Sequence, residues 1–277
     1  MISKLYKPEE EVCVSIPTRL NYTFLRKTTQ YGDGREQQLL DFVKSHPRFN
    51  LMENNPSEVL SAIDEFGHQE NFLMNVGKSK GAIVTNIIAE RSPALMVELG
   101  GYIGYSAILF GDALKKAGGQ KYISLEINET FASVASFLIS IAGLDDIVEV
   151  RVGPCVASLQ RIREENLNLQ IDLLFLDHQK SAYVADLMLC EELSLIRSGS
   201  IVVADNVISP GAPFYLDYIR GSQQEKEQLR GQLAKEDERL LRLGNCSLKY
   251  TSRLHKGFEP TGEPVSGLVS LCCYFPS

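Results

Sequence analysis

Residues 94–106 read ALMVELGGYIGYS, and the change of character within this stretch decides the fold. Residues 94–100 are apolar at almost every position, broken only by Glu98, so an extended chain here needs cover on both faces. Gly100, Gly101 and Gly104 then lead straight into residues 104–117, whose apolar spacing is helical. A doubly buried strand feeding a helix through a glycine turn is the opening of a βαβ unit.

The alternation continues downstream. Residues 122–127 (YISLEI), 147–153 (IVEVRVG), 171–177 (IDLLFLD) and 200–206 (SIVVADN) read as further strands apolar on both faces. Residues 129–142, 156–166 and 182–196 read as crossover helices, with Gly118, Gly143 and Gly199 as C-terminal stops. Two last strands, 247–254 and 267–275, flank a Gly- and Pro-rich connection and predict an antiparallel hairpin. The expected fold is therefore α/β: a Rossmann-like doubly wound sheet of about seven strands, mostly parallel, with a C-terminal antiparallel hairpin and helices on both faces. Upstream, residues 35–45 and 56–66 are the clearest helices, with Asn55 and Pro56 as N-cap and first-turn proline, and are expected to cover one sheet face. Residues 1–34 include the breaker run Tyr31-Gly32-Asp33-Gly34 and read as an N-terminal arm, leaving residues 35–277 as one domain.

Composition narrows the function classes. At 277 residues and 44% hydrophobic composition the chain can bury a full core. A net charge of −7 would repel a phosphate backbone, so nucleic acid is not an expected partner. No stretch approaches the roughly 20 apolar residues that span a bilayer, and Lys4, Lys7, Glu9 and Glu10 interrupt any leader. A cytoplasmic, monomeric protein with no membrane partner is expected. The six cysteines, Cys13, Cys155, Cys190, Cys246, Cys272 and Cys273, form no CxxC pair and read as reduced thiols.

In an open parallel sheet the ligand crevice lies beyond the carboxyl ends of the strands, so the strand-terminal residues carry the chemistry. The spacing of Gly100, Gly101 and Gly104 is not GxGxxG, and Glu98 sets a carboxylate two residues before the turn. A diphosphate would be repelled there, whereas a sulfonium cation with an amino-acid group, as in S-adenosylmethionine, would be attracted. Glu126 ends the next strand where an acid accepts ribose hydroxyls in dinucleotide folds. The fourth strand ends Asp177-His178-Gln179-Lys180 and the fifth Asp205-Asn206. Two carboxylates and an amide on one rim suit a hard cation such as Mg²⁺, although strand-terminal Asp residues also commonly cap helices. Lys180 stands close enough to Asp177 to reach a substrate oxygen, although a loop lysine is usually a solvated charge.

Met74-Asn75-Val76-Gly77-Lys78 with Lys80-Gly81, then ELGGYIGYSA, SLEIN, FLDHQK and ADNVISPGAP, resemble in order and spacing the motifs of the catechol O-methyltransferase family, over residues 36–220. The resemblance implies methyl transfer from S-adenosylmethionine to a hydroxyl of a small aromatic diol. Met74, Val76, Glu98, Gly100, Tyr102, Ser106, Glu126, Asp177 and His178 would hold the cofactor, His178 packing by adenosine without transferring a proton. Asp177, Asp205 and Asn206 would bind Mg²⁺, and Lys180 would be the general base. Phe72, Lys180, Asn206, Pro210 and Glu259 would meet the substrate. The family pattern is broken where Gln179 and Phe72 stand in place of aromatic wall residues, where Cys155-Val156 replaces a Ser-Gln pair beside adenine, and where His255 falls at the place of a second acceptor-orienting glutamate. The charged segment 222–243 has no counterpart of that length in the mammalian enzymes and would flank the acceptor mouth or form a solvated helix. These departures keep open a methyltransferase for another phenolic metabolite and a non-catalytic cofactor-binding homologue. A nicotinamide dehydrogenase is disfavoured by Glu98 and the irregular glycines.

Overall fold

The buried strands expected from the apolar runs assemble in the order β3-β2-β1-β4-β5-β7-β6. In this computed structural model the described residues are 31–212, 214–236, 244–258 and 264–274. Five strands run parallel: β1 (Leu95–Leu99), β2 (Lys121–Glu126), β3 (Val148–Val152), β4 (Leu173–Leu176) and β5 (Ile201–Ala204). Two are antiparallel to their neighbours, β7 (Pro264–Tyr274) lying along β5 and β6 (Lys249–Phe258) along β7, with a register shift between His255 and Lys256. The reversal of strand order falls between β1 and β4, which is where such sheets open a ligand crevice.

Period-two alternation sends successive strand residues to opposite faces. Met96, Tyr122, Phe175 and Val203 pack in one core with α1 (Arg35–Ser45), α2 (Phe49–Met52), α3 (Pro56–Gln69), α4 (Gly77–Arg91), α5 (Tyr105–Lys116) and α6 (Glu129–Ile141). Val97, Leu125, Leu174 and Val202 pack in the other with α7 (Cys155–Glu165), α8 (Tyr183–Glu192), α9 (Tyr215–Arg220) and α10 (Gln223–Glu236). The upstream helices cover one face, as expected, and Asn55 caps α3 by accepting from the Glu58 amide ahead of Pro56.

Several local readings are corrected. The helix expected over 182–196 ends at Glu192, where Ser194 takes the left-handed conformation (φ 53°), so Gly199 serves the turn into β5 instead of a helix stop. β3 is not buried on both faces: it is the sheet edge, only Val148 is buried, and Val152 is exposed. α4 was not legible, and its inward stripe explains why: Gly77, Lys80, Gly81, Val84 and Ile88. Of the arm, residues 1–30 lie outside the described residues. Tyr31–Gly34 are tied to the domain by Gly32 N–H donating to Glu36, by the Asp33–Arg35 pair and by Tyr31 edge-on to Phe131. Within the charged segment α10 buries Leu229, Leu233 and, unexpectedly, Lys226, whose Nζ donates to the Leu248 carbonyl at 2.6 Å. Among the described residues no helix is long and apolar enough to cross a membrane.

Candidate active site

The alternation that builds the core also aims the acids. Glu98 follows Met96, Glu126 follows Tyr122 and Ser124, Asp177 follows Phe175, and Asp205 follows Val203, each two residues on and so on the face covered by α1–α6. Four carboxylates thus reach one rim from the tips of four neighbouring strands.

At the β1 tip the backbone turns so tightly that the glycines have no alternative. Gly100 has φ 97°, and a Cβ there would stand 2.7 Å from the Asp177 carbonyl oxygen. A Cβ on Gly101 would stand 2.3 Å from Ser124 Oγ. Glu98 is fully buried; its Oε2 accepts from Ser124 Oγ at 2.6 Å, while its Oε1 has no hydrogen-bond partner among the described residues. Burial pushes its carboxyl up to about 7 against the pull of the Ser106 and Ser124 hydroxyls. Glu126 receives the Tyr102 amide on Oε2 and the Asn128 amide on Oε1, both at 2.8 Å, and burial raises its carboxyl. Tyr102, at φ 44°, donates its hydroxyl to Glu36, a contact that sequence reasoning did not foresee. Ser106 is buried in the first turn of α5, Val76 is buried at the α4 N-cap, and Met74 is partly exposed.

At the β4 and β5 tips, Leu176 pairs with Ala204, so Asp177 and Asp205 come side by side, tied by the Asp205 amide on the Leu176 carbonyl. Neither is the N-cap of a helix: those positions fall to Gln179 and Asn206. Asn206 adopts the left-handed conformation (φ 56°) and donates its backbone N–H to Asp205 Oδ1. Burial and the neighbouring Asp205 charge raise the Asp177 carboxyl, opposed by Lys180 and Lys80. Lys180 Nζ donates to Asp177 Oδ1 and to the Tyr183 hydroxyl, both at 2.7 Å. Tyr183, wholly buried, donates in turn to the Leu176 and Asp205 carbonyls, which joins the lysine to both strand tips.

Sequence reasoning gave Lys80 no chemical role, and the structure puts it inside this cluster. Its Nζ lies 2.6 Å from Asp205 Oδ2, with the side chains 1% and 2% exposed. The expected set of oxygen donors is therefore already paired with two ammonium groups. The set still fits a hard divalent ion: every donor is oxygen, two like charges press on each other, and a carboxylate oxygen can accept a second ligand beside a lysine. The unpartnered, buried Glu98 Oε1 fits a cationic ligand equally well.

On the opposite face, His178 stacks on Tyr183 (centroids 5.0 Å apart) and meets Asp186 Oδ2 through Nε2 at 2.8 Å. Of the expected acceptor wall, Phe72, Pro210 and Gln179 are all exposed, and Glu259 lies outside the described residues. His255 falls on β6 next to its register shift.

A family model described as O-methyltransferase matches residues 53–247. The chain belongs to the O-methyltransferase family. It is 35% identical to the catechol O-methyltransferase of Bos taurus over 191 residues, covering 69% of this chain and 68% of that one. It is 38% identical to a probable O-methyltransferase of Mycobacterium tuberculosis over 200 residues, covering 71% and 83%. Among solved structures, an O-methyltransferase from Bacillus cereus in complex with SAH superposes with a TM-score of 0.56 at 22% identity, covering 86% of this chain and 96% of that one, which places the two in the same fold. The O-methyltransferase match spans all five parallel strands together with Lys80, Asp177, Lys180 and Asp205.

Proposed function

We propose that this O-methyltransferase moves a methyl group from S-adenosylmethionine to one hydroxyl of a catechol or related aromatic vicinal diol, assisted by Mg²⁺. The observation that carries the reading is the pairing of Asp177 with Asp205 beyond the Leu176–Ala204 register, beside the glycine turn and the buried Glu98 carboxylate.

Glu98 supplies negative potential at a site shut off from water, where a sulfonium or ammonium charge is held more strongly than in solvent. Glu126, fixed by two backbone amides, keeps lone pairs for ribose hydroxyls. Asp177, Asp205 and Asn206 would hold the divalent ion, whose chemistry is to bind the diol and make its hydroxyl more acidic. Lys180 sits on the same rim; once its ammonium has given up a proton to solvent, the neutral Nζ would take the phenolic proton. Tyr183 anchors it from the far side, so it stays in place when Asp177 turns to another partner. The acceptor oxygen then forms its bond to the methyl carbon as the carbon–sulfur bond breaks, the pair of electrons remaining on sulfur. Holding both reactants in one crevice supplies much of the acceleration. Exposed Phe72 and Pro210 offer apolar surface for the ring, and Gln179 gives this wall a polar character, which favours acceptors with a further polar substituent.

The test is transfer of labelled methyl from S-adenosylmethionine to a panel of catechols and monophenols. Activity on the diols that disappears with a chelator and with Asp177→Ala is the expected result. Activity that persists in excess chelator, or that is equal on monophenols, overturns the proposal.

A further inference from the structure

The sheet ends at β3, and the outer side of that strand carries unused hydrogen-bonding groups. Tyr122 N–H donates to the Ile147 carbonyl and Gly153 N–H to the Glu126 carbonyl, so the peptide groups of residues 147, 149, 151 and 153 turn towards β2. Those of Val148, Val150 and Val152 therefore turn outward. The Leu144 carbonyl takes the Val148 N–H. The Val150 and Val152 N–H groups and the Val148 and Val150 carbonyls meet no partner among the described residues. Natural sheets blunt such an edge with proline, a bulge or charge. β3 has no proline and no register shift, and its two charges, Glu149 and Arg151, are opposite in sign and placed symmetrically about Val150.

That symmetry makes VEVRV complementary to itself. Laid antiparallel on a copy of the same strand, with Val150 opposite the partner's Val150, it sets Val152 opposite the partner's Val148 and Glu149 opposite the partner's Arg151. The outward peptide groups then fall at the hydrogen-bonded positions: Val150 exchanges N–H and carbonyl with the partner's Val150, and Val152 N–H meets the partner's Val148 carbonyl. Glu149 and Arg151 fall at the positions between, where facing side chains stand closest. Within one chain Lys121, Glu149, Arg151 and Glu165 already form a row of ion pairs at 2.8–2.9 Å. Two such rows meet head to tail across the seam, plus against minus, and no pair within a chain has to break. Val152, 47% exposed, gains cover.

The helices leave room for this. α6 joins β2 to β3 and packs on both. Centred over their seam, two copies of it stand about 10 Å apart at a strand spacing of about 4.8 Å, a separation at which helices pack. The exposed residues of α6 include Ser133, Ser136 and Ser140, which add little bulk.

We propose that β3 is a homodimer interface, in which a second copy of this chain adds its own β3 antiparallel about Val150 and continues the sheet across a two-fold axis. The pair stands in place of the monomer expected from the sequence. It is independent of the proposed methyl transfer, since the crevice opens at the tips of β1 and β4 and the seam lies at the far edge.

Sedimentation equilibrium of the full chain tests this, and the unaltered chain should be largely dimeric at about 0.1 mM. Glu149→Arg and Arg151→Glu each set like charges opposite one another twice across the seam, and each should raise the dissociation constant about tenfold or more. An equimolar mixture of the two variants puts plus against minus again at both positions and should form a heterodimer. Val150→Pro removes an outward N–H while leaving the ladder to β2 in place, and should abolish association. Thermal melting verifies that each variant is folded. An unaltered chain that stays monomeric, a dimer unmoved by the charge variants or by Val150→Pro, or a mixture no more associated than its components would overturn the interface, whatever the outcome of the methyl-transfer assays.

Discussion

Replacing Lys80 by Met tests how the site holds its own charges. Met keeps the unbranched stem against β6, where a Cβ on Gly257 would stand 3.2 Å from Lys80 Cγ, so packing is preserved while the ammonium is lost. At the observed 2.6 Å the pair attracts by about 6 kcal/mol at an effective dielectric constant near 20. Part of this offsets the desolvation of both groups, and breaking a buried pair by removing one partner costs about 3–5 kcal/mol. At about 2 °C per kcal/mol for a chain of this size, Tm should fall by roughly 6–10 °C without added metal. Removing the stranded charge as well, in Lys80→Met/Asp205→Asn, should recover a large part of that loss. Under the proposed function Mg²⁺ should raise the Tm of Lys80→Met more than that of the unaltered chain, because the ion replaces the cation that Asp205 has lost. The assay is thermal and urea unfolding of the four members of the double-mutant cycle, with and without Mg²⁺. A Lys80→Met chain within about 1 kcal/mol of the original, or a double variant no more stable than the single one, would refute the reasoning.

Three further outcomes are expected. Glu98 has a raised carboxyl, so below its ordinary value of 4.5 it is protonated in both states, and as pH climbs towards about 7 only the unfolded chain ionises; stability should therefore fall by about 1.4 kcal/mol per pH unit in that window and level off above it. Affinity for the proposed cationic donor should rise over the same window by up to tenfold per unit, and a calorimetric pH series in which Glu98→Gln keeps that slope would count against the assignment. Gly100→Ala, with φ 97° and a Cβ 2.7 Å from a carbonyl oxygen, should cost roughly 3 kcal/mol or more, whereas Gly118→Ala, at φ 80° in open space, should cost about 1–2 kcal/mol; urea midpoints that match would remove the contact between the β1 turn and Asp177 from the account. Tyr183→Phe strips the hydroxyl that links Lys180 to both strand tips and should lower kcat about tenfold with donor affinity unchanged, an outcome that single-turnover rates and equilibrium binding can separate.

The strand tips were legible in the sequence because one regularity serves two purposes. An apolar run two residues short of an acid identifies a buried strand and, by the same period of two, says which face the acid joins. Met96 and Glu98, Phe175 and Asp177, Val203 and Asp205 are each such a pair. The glycine turn was legible for a related reason: Gly100 is required by the close passage of Asp177 and His178, a contact between the very strands that form the crevice. Where the sequence misled, two-sided burial was read from hydrophobicity alone. Residues 148–152 (VEVRV) alternate strictly, which is the pattern of an edge strand with one wet face, and that is what β3 is.

Lys80 escaped for the same reason that α4 did. The inward stripe of that helix, Gly77, Lys80, Gly81, Val84 and Ile88, has the helical spacing of three and four, but three of its five members are not apolar, so it fails a test based on hydrophobicity. Each exception answers a neighbour distant in sequence. A Cβ on Gly81 would lie 2.4 Å from Leu109 Cδ2, so glycine lets α4 and α5 approach, and Lys80 is buried because Asp205, 125 residues away, neutralises it. A lysine falling on the buried stripe of a helix is therefore itself a signal, since burying an unpaired ammonium is too costly to persist. It calls for an acid on the facing strand tips, and Asp205 at the tip of β5 answers it. Had the stripe been scored by position instead of by polarity, the helix, its lysine and the charge-paired state of the oxygen cluster would have followed together.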